Sequence, residues 1–403
     1  MDLDFMPSPD PERPGLVLRD PFQYSDRILI VPPALVPALE LFDGASTPLD
    51  LREFLVRLTG ELDVTPLEQN LSNSLSEAGF LEDEHFERRR EQRHEEFRKA
   101  RVRQAAHAGQ AYPEDPAEAR KLFDEYLAPE EPRHEGNLIA IAAPHVSPFG
   151  GIDSYRAAYK ALSPLHRDKV FVILGTSHYG EPERFGLTHK NFVTPFGESS
   201  TERAWVDELA HAAPEAVEME DYCHATEHSI EFQVAFLQHI YTSRLAGFDQ
   251  PPLRILPILC GSFAHSLYEG GLPEADEGVK RFLGALGELA ARERDHLVFV
   301  LGVDMAHMGR RYGDPIEAKA RENEMIEVER RDHARIAALS GGDAQAYWEL
   351  VQQNNDDLKW CGSAPFYTFS RAVPEARGKL LRYGQWNIDP QSVVSFAGMS
   401  FTV

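Results

Sequence analysis

Cysteine is scarce: Cys223, Cys260 and Cys361 are the only three in 403 residues. The number is odd and no two share a paired spacing. That excludes a disulfide-built scaffold and predicts a reducing, cytoplasmic setting. Basic residues are also few, 41 Lys and Arg against 65 Asp and Glu, for a formal charge of −24. A chain this acidic lacks the basic face that a phosphate backbone needs, so no nucleic-acid partner is expected. Long apolar runs are missing too. None approaches the roughly 20 residues of a membrane span, and no membrane partner is expected. The start, Met-Asp-Leu-Asp-Phe, has neither the basic nor the apolar stretch of a signal peptide. No short repeat recurs at a fixed period. What is plentiful is apolar residues, 42% of the chain. That is enough for a large core in about two or three domains.

Residues 1–19 are polar and proline-rich and read as a flexible lead-in. Residues 20–85 read as a small α+β module. Ile28–Val31 is a strand candidate and Leu41-Phe-Asp-Gly44 a turn. An amphipathic helix follows Thr47, a capping residue. Thr65–Glu77 is a second helix with Pro66 in its first turn. Gly79-Phe-Leu reads as a helix stop and strand start. This order resembles the winged-helix-like modules related to the peptide-binding PqqD family; a plain helical packing domain is the other reading. From Glu82 onward opposite charges recur three and four apart, so residues 86–103 are expected to form a solvated helical linker.

Residues 104–403 read as one domain. Ala106–Tyr112 is a loop, and a helix spans Asp115–Leu127 with Pro116 at its first turn. Strand candidates are Leu138–Ala143, Val170–Leu174, Leu253–Leu259, Leu297–Leu301 and Ser392–Val403. They alternate with helical patterns, which predicts an α/β fold: a mostly parallel central sheet with helices on both faces. Pro144 ends the first strand because it has no N–H for the ladder. Three strands are followed by a histidine, in Pro144-His145, Gly175-Thr-Ser-His178 and Gly302-Val-Asp304-Met-Ala-His307. Open α/β sheets hold their ligands at such strand ends.

His145, His178, His228, His307 and Cys361 are therefore the residues for chemistry. Neutral imidazole is the commonest transition-metal ligand, and thiolate adds a soft donor. Asp304 can orient a histidine or cap a following helix. His224-Ala-Thr-Glu227-His228 spells the H-x-x-E-H zinc-peptidase motif, which needs both histidines on one helical face. The apolar spacing starts its helix near Thr226, which leaves His224 outside. Cys361 is followed by Gly362 and Pro365, which suggests a shaped loop; a buried inert thiol is the alternative. Glu231 can pair with a histidine on its helix or face solvent.

These motifs resemble the MEMO family, including the bacterial AmmeMemoRadiSam system protein B members. The matching pieces are Ala143-Pro-His145, Leu174-Gly-Thr-Ser-His178, Glu227-His-Ser-Ile-Glu231, Leu256-Pro-Ile, Asp304-Met-Ala-His307 and Cys361-Gly362. They cover about 300 residues in the family's order. The resemblance implies a fold similar to the class III extradiol dioxygenases. It also implies a mononuclear non-haem metal held by His145, His178 and Cys361, with His228, His307 and Asp304 as catalytic residues beside it. The metal implied is iron (Fe2+), with copper or zinc as alternatives, since thiolate departs from the two-histidine, one-carboxylate triad. The activity implied is an oxygen-dependent oxidoreductase on a small-molecule or peptide substrate. Alternatives are a non-enzymatic peptide-binding adaptor, a metal-handling protein, and the zinc peptidase of His224 and His228. Family association adds AMMECR1-like and radical SAM proteins as partners. Val146-Ser-Pro-Phe149 stands where the family usually carries Gly-Tyr, and Ser363-Ala-Pro365 where an Arg is frequent.

Overall fold

Leu138–Ala143 forms a strand, β1, with all six residues buried. Val170–Thr176 (β2), Leu253–Cys260 (β3) and Leu297–Gly302 (β4) are likewise buried, save for Arg254. Strands without polar positions must be covered on both faces, the signature of parallel sheets. In the computed structural model, which describes residues 3–8, 10, 12–128, 137–243 and 251–403, β4 lies between β1 and β2, and β3 flanks β2. All four are parallel. Arg377–Asp389 (β5) and Ser392–Thr402 (β6) form a hairpin, and β6 closes antiparallel onto β1. Five short strands beyond β3 and one on β6 at the other edge bring the sheet to twelve among the described residues.

Successive side chains of a strand point to opposite faces, and the two cores follow that rule. Val170, Val172 and Leu174 of β2, with Leu297, Phe299 and Leu301 of β4, face one cluster. Helices Glu277–Arg292 and Ser363–Ala372 cover it with Phe282, Leu286, Phe366 and Phe369. Phe171, Ile173, Val298 and Val300 face the other. Helices Pro148–Tyr159 and His228–Ser243 cover that side with Tyr155, Tyr159 and Phe236. Each such side chain withdrawn from water contributes about 1.5–3 kcal/mol. Helices thus lie on both faces of a mostly parallel sheet, the α/β class expected.

The chain forms two compact units, Met1–Lys99 and Ala100–Val403. The first carries a three-stranded antiparallel sheet, Asp4–Pro7, Leu16–Arg19 and Ile28–Val31. Two of these strands fall in the expected lead-in, because the short run Leu16-Val-Leu buries Val17 and Leu18. Helix Pro48–Thr59 starts with a reciprocal capping box between Thr47 and Asp50. Gly79 stops helix Thr65–Ala78 at φ 77°. No strand follows it; Phe80 turns into the core and helix Glu84–Lys99 begins. That helix is tied to its own unit by Arg93 on Asp26 and Arg89 on Ser25. Helix does not continue to residue 103. Val102–Gln104 is a strand paired with Asn191–Thr194 in the main sheet.

Candidate metal centre

The strands β1, β4 and β2 are neighbours, so their carboxyl ends deliver Pro144-His145, Val303-Asp304 and Ser177-His178 side by side. Glycine at two of those ends lets the start of helix His228–Ser243 come close. A Cβ at Gly302 would overlap the Ser229 carbonyl oxygen, and one at Gly175 the Ser229 hydroxyl. Glu227 and His228 are thereby pressed against the strand ends. Cys361 arrives on the loop before helix Ser363–Ala372. Its carbonyl accepts from Thr176 Oγ1 at 2.9 Å, and the Gly362 N–H donates to the Asp304 carbonyl at 3.1 Å. A Cβ at Gly362 would collide with that carbonyl, so the loop needs glycine there.

His145 Nδ1 lies 2.9 Å from the Gly302 carbonyl. A carbonyl only accepts, which puts a proton on Nδ1 and turns Nε2 toward the site. That Nε2 is 3.1 Å from Cys361 Sγ. Asp304 accepts the backbone N–H of His145 at 3.0 Å, and its other oxygen is 3.5 Å from His145 Nε2. His178 Nδ1 is 3.1 Å from both oxygens of Glu227. Its Nε2 is the nitrogen left over, and the ring also hydrogen-bonds Cys361; burial would lower its pKa, but Glu227 and Cys361 hold it well above the ordinary value. The donor atoms of His145, His178 and Cys361 all lie within 4.8 Å of one another. Burial by itself would raise the Cys361 thiol, but His145 and the hydrogen bonds from both imidazoles bring it below its ordinary value. Two imidazole Nε2 atoms converging on a thiol that ionises readily suit a borderline or soft transition metal.

Glu227 organises the rest. It is 1% exposed, and besides His178 it takes the Ser229 N–H at 3.0 Å and lies 3.2 Å from His228 Nδ1. Burial would raise its carboxyl, yet the two histidines and Ser229 hold it well below the usual range. The His228 ring stacks on His178 at 4.9 Å and stands 5.1 Å from His145. Burial, joined by repulsion from its imidazole neighbours, holds His228 well below its ordinary pKa despite Glu227. His228 is therefore neutral, with Nδ1–H on Glu227 and Nε2 bare. His178, Glu227 and His228 also have ligand atoms within 4.8 Å of one another. There the nitrogens facing the carboxylate carry its hydrogen bonds, so the trio reads as a positioning cluster. Glu227→Gln is expected to weaken metal binding about 10–100-fold, as loss of a carboxylate behind a ligating histidine does. Competitive chelator titration measures it, and unchanged affinity would refute the role.

His307 opens the short strand His307–Gly309, which pairs with β6. Its Nδ1 is 2.9 Å from the Met305 carbonyl and 3.1 Å from that of Lys359. Nε2 is again the bare nitrogen. Burial holds His307 below its ordinary pKa, and burial pushes Asp304 up to about 6. Asp304 caps no helix, since a strand follows it; its carboxylate holds the His145 loop instead.

Other expectations fall away. His224 sits in the short helix Cys223–Thr226, and its Nε2 is 3.0 Å from the Gly186 carbonyl. Helix His228–Ser243 begins four residues later, so the two histidines share no helical face. His224 belongs to neither group able to hold a metal, and the peptidase reading is corrected. Glu231 meets neither a histidine ring nor solvent. It is fully buried and accepts from Arg103 Nη1, from the Ala106 N–H at 2.8 Å, the His107 N–H at 3.0 Å and Tyr112 OH at 2.6 Å. Arg103 also donates to the carbonyls of His224 at 2.8 Å and Glu227 at 2.9 Å. Arg103 and His107 were not singled out from the sequence. His107 stands 5.6 Å from the His228 ring. A third support lies behind the cysteine. Trp360 Nε1 donates to Asp332 at 2.7 Å, and the Trp360 N–H donates to Asp356 at 3.0 Å. Arg335 binds Asp356 at 2.7 Å and lies over the Trp360 ring.

The model of the family described as Memo-like protein matches residues 103–400. The chain belongs to the Memo-like family. Its match begins at Arg103, the residue that ties the main unit's first strand to the site. A MEMO1 family protein of Aquifex aeolicus is 27% identical over 391 residues, 96% of this chain and 95% of its own. Relatives of that name from Methanosarcina barkeri and Pyrococcus furiosus are 26% and 28% identical over 74% and 70% of this chain, and 99% and 91% of theirs. This Memo-like chain thus aligns over 96% of its length with the Aquifex protein and over 70–74% with the archaeal ones. No helix among the described residues is long and apolar enough to cross a membrane.

Proposed function

We propose that His145 and His178, through Nε2, and Cys361, through Sγ, hold one transition-metal ion. Iron (Fe2+) is the first choice, with copper or zinc as the alternatives. We propose further that the chain is an oxygen-dependent oxidoreductase acting on a small substrate. One observation carries this reading: two imidazoles whose Nδ1–H groups are already bound to fixed acceptors leave their other nitrogens to a single acidified thiol. When bound, such an ion supplies Lewis-acid and redox chemistry at the positions that three protein donors leave open. The chain's own residues do the rest. His228 and His307 each keep an Nδ1–H on a fixed acceptor and a bare, neutral Nε2, which fits a base that takes a proton from substrate. Glu227 neutralises the charge that His228 gains when it does so. Asp304 anchors the His145 loop.

Protein purified without oxygen is expected to hold about one metal ion per chain by elemental analysis. Iron-loaded protein should then consume oxygen when small organic substrates are supplied. His228→Ala and His307→Ala should keep the metal and lose at least about 100-fold in that rate, the usual worth of a positioned base. Loss of metal from either variant would make it a ligand instead. Full metal with no oxygen uptake across the substrates would reject the enzyme reading in favour of metal handling.

A further inference from the structure

The first unit holds a cavity of about 610 Å³ between its sheet and its helices. Its size is that of a site for a small organic molecule. The floor is apolar, built from Leu18, Leu51, Leu75 and Phe80. The ionisable groups among the described residues of its wall are Asp43, Glu68 and Glu82, all carboxylic acids. The start of helix Pro48–Thr59 also faces it, which by itself would attract an anion. That attraction is already answered. Thr47 and Asp50 cap each other's N–H groups, and Asp43 takes the N–H groups of Ala45 and Ser46 at 2.9 and 2.7 Å. An incoming carboxylate or phosphate would meet the carboxyl oxygens of Asp43 and Glu68.

Glu68 is the buried member, 8% exposed. Arg52 donates to it twice, at 3.2 and 3.1 Å, and both bonds go to Oε2. Oε1 lies outside that pair, on a residue that lines an apolar chamber. We propose that this cavity binds a small apolar molecule carrying one cationic amine, with the amine at Glu68 Oε1 and the apolar body on Leu18, Leu51 and Leu75. The proposal is independent of the metal centre, whose residues lie in the other unit.

Calorimetric titration of the full chain with n-octylamine, 1-octanol and octanoate tests it. The amine, an ammonium at neutral pH, should bind about tenfold more tightly than the alcohol, the increment of one charge-assisted hydrogen bond. Octanoate should bind at least about a hundredfold more weakly than the amine. Glu68→Gln should bring the amine down to the alcohol's affinity and leave the alcohol unchanged. Ser72→Trp, which fills the chamber, should abolish binding of both. Octanoate binding as well as the amine, an amine affinity untouched by Glu68→Gln, or no heat with any of the three would overturn the proposal. Should Glu68→Gln fail to fold, the ratio of amine to octanoate on the unaltered chain decides alone.

Discussion

Cys361→Ser is expected to strip the metal: from about one ion per chain to below about a tenth, on elemental analysis of protein prepared without oxygen. A serine hydroxyl stays protonated at neutral pH and is a poor donor for a borderline metal, whereas the Cys361 thiol is held below its ordinary pKa. Loss of an outer partner of a ligating histidine alone costs about 10–100-fold. Loss of one of three direct donors should exceed that range, and His178→Ala is expected to match it. Cys260 supplies the contrast. It is buried in β3 among apolar side chains, which pushes its thiol up to about 12, so Cys260→Ser should keep its metal. His224→Ala should keep it as well, because that ring is committed to the Gly186 carbonyl. Were His224 essential and Cys361 dispensable, the assignment of ligands would be wrong.

The largest loss of stability should come from Arg103→Met. The substitution leaves Glu231 as a buried carboxylate without its Arg103 ion pair, and takes from the carbonyls of His224 and Glu227 the donors that Arg103 supplies. Breaking a buried pair from one side costs about 3–5 kcal/mol, far more than an exposed pair is worth. Glu231 keeps the Ala106 and His107 N–H groups and Tyr112 OH, so the low end of that range applies. At about 2–4 °C per kcal/mol, the midpoint of thermal unfolding should fall by roughly 10 °C. Trp205, Trp348, Trp360 and Trp386 all lie in the main unit, so tryptophan fluorescence follows that unit alone. A shift under about 2 °C would mean that the pair is energetically idle.

Much of this was legible in the chain. Runs such as Leu138–Ala143 and Leu297–Leu301 carry no polar residue, and burial on both faces is what such runs require. His145 and His178 were found because each follows a strand end, and Cys361 because Gly362 and Pro365 signalled a turn there; Gly362 closes that loop, while Pro365 lies in the first turn of helix Ser363–Ala372. Proximity across the fold was not legible. Glu227 looked like one letter of a peptidase motif; only the closeness of helix His228–Ser243 to Gly175 and Gly302 makes it the shared partner of two histidines. Arg103 sat at the end of a run of alternating charges and read as solvated, yet it pairs with a carboxylate 128 positions away. Strand β5 escaped notice because it is half-buried and mixes Lys, Arg and Gln with Leu, Tyr and Trp. Its place is set by pairing with β6, not by a pattern of its own.

His145 and Cys361 are 216 positions apart, yet their side chains touch. In an extended chain no pair of these donors is within reach of one ion. Closing loops of that length precedes any gain from the contact, and topologies built on such distant pairings assemble slowly. The thiol and the two imidazoles therefore meet only after β1, β4 and β2 have docked in register. An ion cannot template this chain as zinc templates a finger, whose ligands lie within one short loop. With the proposed ligand set, an ion would meet a chain already in its native topology, so the metals at hand once folding is complete would decide which one is bound.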